Sequence, residues 1–198
     1  MNLDFKCYEE QHKFVVSTKR YVAFIAGRGS GKSQALVYKA IIKALQNPGS
    51  FGVITAPSFP MLRDSTKRTF FELCPNELIV YRNDAEQKVG LRTSTGEISE
   101  IVFKSTSDPD SLRGPSYLWG AMDEAAMEDS KEAFNVLQGT LRALPASEQQ
   151  IFICSTPKGM NWVFDEFGPT RLNDPDREII YASTSDNVFL PSEYVDDL

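Results

Sequence analysis

Thirteen residues, Tyr21-Val22-Ala23-Phe24-Ile25-Ala26-Gly27-Arg28-Gly29-Ser30-Gly31-Lys32-Ser33, have the types and spacing that bind phosphate. A short apolar run ends in a glycine-rich turn, and Gly31-Lys32-Ser33 then opens a helical pattern. Glycines in such a turn let the backbone curl so that successive N–H groups face phosphate oxygens. Lys32 is placed to reach the β- and γ-phosphates and the Ser33 hydroxyl to ligate Mg²⁺. The helix that follows adds the positive end of its dipole. This P-loop spans Ala26, Gly27, Arg28, Gly29, Ser30, Gly31, Lys32 and Ser33. Ala26 replaces the first glycine of G-x-x-x-x-G-K-[ST], a position that needs a small residue rather than a positive φ.

A second chemical signal lies about ninety residues on. Tyr117-Leu118-Trp119-Gly120-Ala121-Met122-Asp123-Glu124 is an apolar strand with two acids at its C-terminal end, where open α/β sheets bind ligands. Asp123 suits the carboxylate that holds Mg²⁺, and Glu124 the general base that polarises an attacking water. A third run, Ile151-Phe152-Ile153-Cys154-Ser155-Thr156-Pro157, ends another strand in two hydroxyls. Ser155 and Thr156 suit either a sensor of the γ-phosphate or ordinary strand-end turn chemistry.

The elements that must position these residues alternate. Tyr8–Val16 reads as a short helix. Strand-like runs follow at Tyr21–Ala26, Phe51–Thr55, Tyr117–Met122, Gln150–Ser155 and Arg177–Ser183. Helical periodicity marks Lys32–Gln46, Met61–Leu73 and Ala133–Leu144, with Asn47-Pro48-Gly49 stopping the first of these. Between Leu78 and Lys104 the pattern changes to short alternating runs around a Ser94-Thr95-Gly96 turn, which predicts antiparallel strands inserted among parallel βα units. Ser105–Ser116 is a long polar loop. The expectation is an α/β fold of the P-loop NTPase (ASCE/RecA-like) type. Its central sheet is mostly parallel, with helices on both faces and an antiparallel insertion.

At 198 residues the chain is sized for one domain, and no apolar run approaches a membrane span. Cys7, Cys74 and Cys154 are odd in number and lack metal-site spacing, and His12 is the sole histidine. These features fit a reducing compartment and no structural zinc. A net charge of −6 argues against a chain that coats nucleic acid unspecifically, although a local basic patch remains compatible with it. The cluster from Arg63 to Arg68 reads as a solvated helix face.

The order of P-loop, Asp-Glu strand and Ser-Thr-Pro-Lys-Gly resembles the ATPase domain of a tailed-phage terminase large subunit, the motor that packs viral DNA into a preformed capsid. The similarity is densest in Ser107–Gly114, Met122–Met127 and Ser155–Trp162 and extends from about Glu10 to Leu198. It implies ATP and Mg²⁺ as cofactors. Double-stranded DNA, a portal protein and a small terminase subunit are the implied partners. It also implies a homo-oligomeric ring, no membrane, and a location in the host cytoplasm, transiently docked at the procapsid.

The resemblance also implies residue roles. Gln11 would read adenine, though a glutamine on a short helix is equally a solvated one. Arg28 would contact the γ-phosphate in cis, and Arg113 would act as a finger reaching a neighbour's ATP, its alternative being a solvated loop arginine. Ser155 and Thr156 would couple hydrolysis to movement. Residues 1–185 then form the ATPase domain, and 186–198 a linker or the start of a further domain. Large terminases normally continue into an acid-rich nuclease, so nuclease activity is not expected of this chain, and Asp196 and Asp197 read as a helix end. A superfamily-2 helicase fragment and a non-hydrolysing nucleotide-binding module are the competing readings. Glu124 argues against the module, and the Leu112-Arg113-Gly114 loop against the helicase.

Overall fold

The near-continuous apolar runs of the sequence form strands buried on both faces. In the computed structural model, which describes residues 5–127 and 130–191, the elements begin with α1 (Glu9–Val16), β1 (Tyr21–Ala26), α2 (Lys32–Gln46) and β2 (Phe51–Ala56). A helical segment follows, from α3 (Phe59–Met61) through a π-helical turn (Leu62–Lys67) into α4 (Arg68–Leu73). Then come β3 (Ile79–Asn83), β4 (Lys88–Arg92), β5 (Ile98–Ser105), β6 (Trp119–Met122), α5 (Ser130–Thr140), β7 (Gln150–Ser155), α6 (Trp162–Phe167) and β8 (Arg177–Ala182).

The strands make one eight-stranded sheet in the order β3-β4-β5-β2-β6-β7-β1-β8. From β5 to β8 every pairing is parallel, and β3 and β4 extend one edge antiparallel. Alternation along each central strand sorts side chains to two cores. Val22 and Phe24 of β1 join Phe152 and Cys154 of β7 on one face, under α1, α2 and α4. Ala23 and Ile25 join Ile151 and Ile153 on the other, under α5 and α6. Coverage of both faces explains why these strands are near-continuously apolar in sequence.

Several boundaries differ from the sequence expectations. The antiparallel insertion comprises β3 and β4, and β5 joins it to the parallel sheet, pairing with β4 on one side and with β2, in parallel, on the other. The segment expected to be helical from Met61 starts at Phe59 instead, capped by the Ser58 hydroxyl on the Met61 N–H, and winds as a π-helix in its middle. The helix expected to run to Leu144 ends at Thr140. There the Thr140 carbonyl accepts the Tyr117 N–H, and Leu141 forms a bridge alongside Tyr117. Helix α6 was not evident from periodicity. It is capped by Asn161, whose side-chain oxygen accepts the N–H groups of Val163 and Phe164.

Buried Lys39 closes α1 onto α2. Its ammonium donates to the carbonyls of Phe14, Val15 and Ser17 at the end of α1, a position where cations complement the helix dipole. The expected boundary between 185 and 186 falls within a turn, Thr184–Asp186, that packs with Asn187 on the loop after β1. Residues 192–198, including Asp196 and Asp197, lie outside the described residues.

Candidate active site

The three chemical segments of the sequence meet at one edge of the sheet. β6, β7 and β1 are neighbours and parallel, so their C-terminal ends bring together Asp123-Glu124, Ser155-Thr156 and the loop after Ala26. This is the ligand-binding edge of an open α/β sheet.

In the P-loop, Gly29 and Gly31 take φ of 72° and 75°, the left-handed region that favours glycine. Gly27 is held to glycine for a different reason: a Cβ there would collide with the Thr184 hydroxyl. Five consecutive carbonyls of this loop each accept a side-chain donor. Gly27 takes Ser30 Oγ at 2.7 Å, and also Lys32 Nζ at 2.8 Å. Arg28 takes Thr184 Oγ1 at 2.7 Å, Gly29 takes Asn187 Nδ2 at 2.7 Å, Ser30 takes the Tyr8 hydroxyl at 2.8 Å and Gly31 takes Gln11 Nε2 at 3.0 Å. A trans peptide points its C=O and the next N–H in opposite directions. Where the carbonyls of Arg28, Gly29, Ser30 and Gly31 are held by elements packed around the loop, the N–H that follows each points the other way, the orientation a phosphate-binding loop needs. Burial raises the pKa of the Tyr8 phenol, which keeps it protonated and a donor.

Gln11 lies beneath the loop. The structure buries it to 1% exposure, with Nε2 on Gly31 and Oε1 on the Tyr8 N–H at 3.3 Å. Both ends of its amide are engaged beneath the loop, so it is not the solvated glutamine of the alternative reading. Arg28 lies in the exposed part of the loop.

Ser33, at the start of α2, donates to Asp123 Oδ2 at 2.8 Å, and Thr66, from the π-helical turn, donates to the same oxygen at 2.7 Å. The Glu124 N–H donates to Asp123 Oδ1 at 3.1 Å. Burial pushes the Asp123 carboxyl above its usual range, opposed by the donors from Thr66, Ser33 and the Glu124 backbone. Glu124 has φ 49°, a left-handed conformation that strains a residue bearing a Cβ. This turn is stitched to the end of β7. The Ala125 N–H donates to the Cys154 carbonyl and the Ala126 N–H to Ser155 Oγ, each at 3.0 Å. Thr156 Oγ1 donates to Glu124 Oε2 at 3.5 Å, the long end of hydrogen-bonding range. Ser155 and Thr156 thus contact the turn that carries both acids. Cys154 is buried with its thiol pKa well raised, which leaves it a packing residue.

Arg113 stands apart from this group. It follows the turn Pro109–Leu112 and is exposed, with Nε on Asp110 Oδ1 at 2.6 Å, and it borders a groove shared with Gly114, Glu132, Asn135 and Arg142. Sequence reasoning missed Tyr8, Thr66, Thr184 and Asn187. None belongs to a phosphate-binding motif, and tertiary structure alone brings them in.

The family model described as phage terminase large subunit matches residues 18–198. The chain belongs to that family. It is 31% identical over 169 residues to the terminase large subunit of Thermus phage G20c, covering 76% of this chain and 33% of the relative. A mutant large terminase ATPase domain of Thermus phage P74-26 superposes with a TM-score of 0.69 at 25% identity, covering 91% of this chain and 82% of that one. The large terminase of another thermophilic bacteriophage, in complex with ADP, shares the fold, with a TM-score of 0.81 at 13% identity over 96% of this chain and 48% of that one. The chain spans about a third of the length of the first curated relatives it matches. Within this terminase fold the expected mostly parallel sheet, covered by helices on both faces, holds. Among the described residues no helix is long and apolar enough to cross a membrane.

Proposed function

We propose that this terminase chain is an ATP-hydrolysing motor module whose turnover drives double-stranded DNA into a viral capsid. In this reading it works as a ring of copies in the host cytoplasm, docked on a portal and supplied by a small terminase subunit. The observation that carries the hydrolytic part is the Ser33–Asp123 contact of 2.8 Å, with Glu124 next in sequence and the P-loop alongside. The thermophilic-phage large terminase bound to ADP, and the same protein bound to ATP-γ-S, support a nucleotide as the ligand.

The donor set fits Mg²⁺. It pairs a hydroxyl with a carboxylate, both hard oxygen ligands, and Mg²⁺ in such sites takes one or two carboxylates and completes its shell with phosphate and water. Ser33 and Asp123 would hold the ion, which when bound neutralises charge on the β- and γ-phosphates. The loop N–H groups and Lys32 bind the phosphates. Glu124 takes a proton from the water that attacks the γ-phosphorus, the bond to the β-γ bridging oxygen breaks, and ADP leaves as the electron-pair acceptor. Lys32 and an arginine, Arg28 in cis or Arg113 from a neighbour, stabilise the charge that develops. Thr156, in contact with Glu124, and Ser155, in contact with the acid turn, suit the step that passes the result of hydrolysis to movement. In this reading residues 1–185 make up the motor module and 186–198 a linker or the start of a further domain.

The test is steady-state ATP turnover with Mg²⁺. Glu124→Gln is expected to lower turnover by about a hundred-fold or more while ATP still binds. Lys32→Ala is expected to weaken binding as well. Unchanged turnover in Glu124→Gln would remove the base assignment.

A further inference from the structure

No phosphate-binding motif marks Thr66, yet it is buried to 1% exposure and its hydroxyl lies 2.7 Å from Asp123 Oδ2 across 57 residues of sequence. We infer that Thr66 is a positioning residue for the metal-holding carboxylate, an inference that rests on the ATPase reading above.

Three donors fix the Asp123 carboxylate: Ser33 and Thr66 on Oδ2, and the Glu124 N–H on Oδ1. They are not equivalent. The Ser33 hydroxyl would itself be a ligand of the ion in a P-loop site, so it has a second task besides Asp123. Thr66 has no such second task. With Ser33 serving the ion, Thr66 and the Glu124 N–H would be the donors left to set the rotation of the carboxylate. A buried carboxylate oxygen deprived of its donor pays a desolvation penalty and loses its fixed orientation.

The backbone supports this role. The turn Leu62–Lys67 is wound as a π-helix between two α-helical stretches, a departure that recurs at functional sites. It directs two consecutive side chains inward. Thr66 goes to Asp123, while Lys67 Nζ goes to Asp84 Oδ1 at 3.1 Å and Gln87 Oε1 at 2.7 Å in the turn between β3 and β4. Leu62 and Phe70, fully buried on either side, anchor the segment in the core below α2. Thr66 is therefore held from both ends, which is what a residue needs if it is to orient another.

The experiment is equilibrium binding of the fluorescent analogue mant-ATP to the whole chain, in excess Mg²⁺ and in EDTA. Wild type is expected to bind more tightly with Mg²⁺. In Thr66→Val, which keeps the shape and removes the hydroxyl, that Mg²⁺-dependent gain is expected to shrink about ten-fold, the lower end of the effect of removing a group behind a metal ligand. Affinity in EDTA should not change, and Thr66→Ser should keep most of the gain. If the valine variant does not fold, Thr66→Ala is compared with Thr66→Ser in the same titration. A wild-type gain in Thr66→Val overturns the inference. So does an equal loss in Mg²⁺ and EDTA, which marks a purely structural role, and so does a serine variant as defective as valine. If wild type itself binds no mant-ATP, the ATPase reading fails and takes this inference with it.

Discussion

Asn187 Nδ2 donates to the Gly29 carbonyl at 2.7 Å, joining residues 158 apart in sequence. The segment that leaves β8 therefore braces the tip of the phosphate loop, with Thr184 bracing Arg28 beside it. Loss of one such hydrogen bond is worth about 0.5–1.5 kcal/mol, or about a two- to thirteen-fold change in an equilibrium. Asn187→Ala is accordingly expected to raise KM for ATP by about that factor while kcat changes little. A KM that stays at the wild-type value in steady-state kinetics would show that the brace does not shape the loop.

Asp123 sets a conflict between stability and function. Burial raises its carboxyl pKa above the ordinary value of 3.8, the donors from Thr66 and Ser33 opposing that rise. A raised folded pKa means that the folded state holds the proton more firmly than the unfolded chain does. The stabilising contribution of this group is full below pH 3.8 and is lost as pH rises through the folded value. At pH 7 the carboxylate thus weakens the nucleotide-free protein. Asp123→Asn is expected to melt higher than the wild type at pH 7. The gap should narrow toward pH 4, and Mg²⁺-dependent ATP binding should be lost. Thermal melts across that range check the sign, and a lower midpoint for the asparagine variant at pH 7 would contradict it.

The sheet makes a sharper demand at Gly52 than at Gly120. Gly52 lies opposite Trp119 in the β2–β6 register, and a Cβ there would overlap the indole. Trp119 is fully buried and stacks on Phe152 at 5.8 Å, so the ring has no room to retreat. A Cβ on Gly120 meets the end of the Leu137 side chain at 3.3 Å, which can turn aside. Overpacking a tight core site costs about 1–3 kcal/mol and sometimes more. Gly52→Ala is expected at or above the top of that range and Gly120→Ala near the bottom, read from urea midpoints at constant m-value. Equal losses in the two variants would mean that the indole has freedom the packing does not suggest.

Local chemistry made much of this site legible in sequence. Strand β1, helix α2 and strand β7 begin and end where apolar pattern and turn residues put them, because glycine, proline and strand-end hydroxyls act within a few residues. The P-loop, Asp123-Glu124 and Ser155-Thr156 share the same advantage. What stayed hidden depends on long-range pairing. Thr66, Thr184 and Asn187 are ordinary polar residues until the sheet order places them against Asp123, Arg28 and Gly29. The sequence places Gln11 on a short helix but does not show its burial under Gly31, since the burial of a short helix depends on what packs over it. Strand β5 reads in sequence like its antiparallel neighbours because alternation reveals a strand without revealing its partners on each side.

Arg113 carries the last prediction. Its ion pair with Asp110 is exposed on both sides, and exposed pairs contribute little, so the guanidinium can exchange that carboxylate for a phosphate at small cost. It is also set apart from the acids and the loop of its own chain, on a groove with Arg142 and Glu132. These features suit an arginine that acts on a neighbouring copy. Arginines that complete a phosphoryl-transfer site in trans contribute about a thousand-fold or more to turnover. Arg113→Ala is expected to lose turnover on that scale, and wild-type turnover per chain should rise with protein concentration as copies assemble. Mixing Arg113→Ala with Lys32→Ala should recover part of the activity, because each chain supplies what the other lacks. Asp110→Ala, which only releases the arginine, should retain turnover. Activity that is independent of concentration, together with no recovery on mixing, would assign Arg113 to the surface of its own subunit.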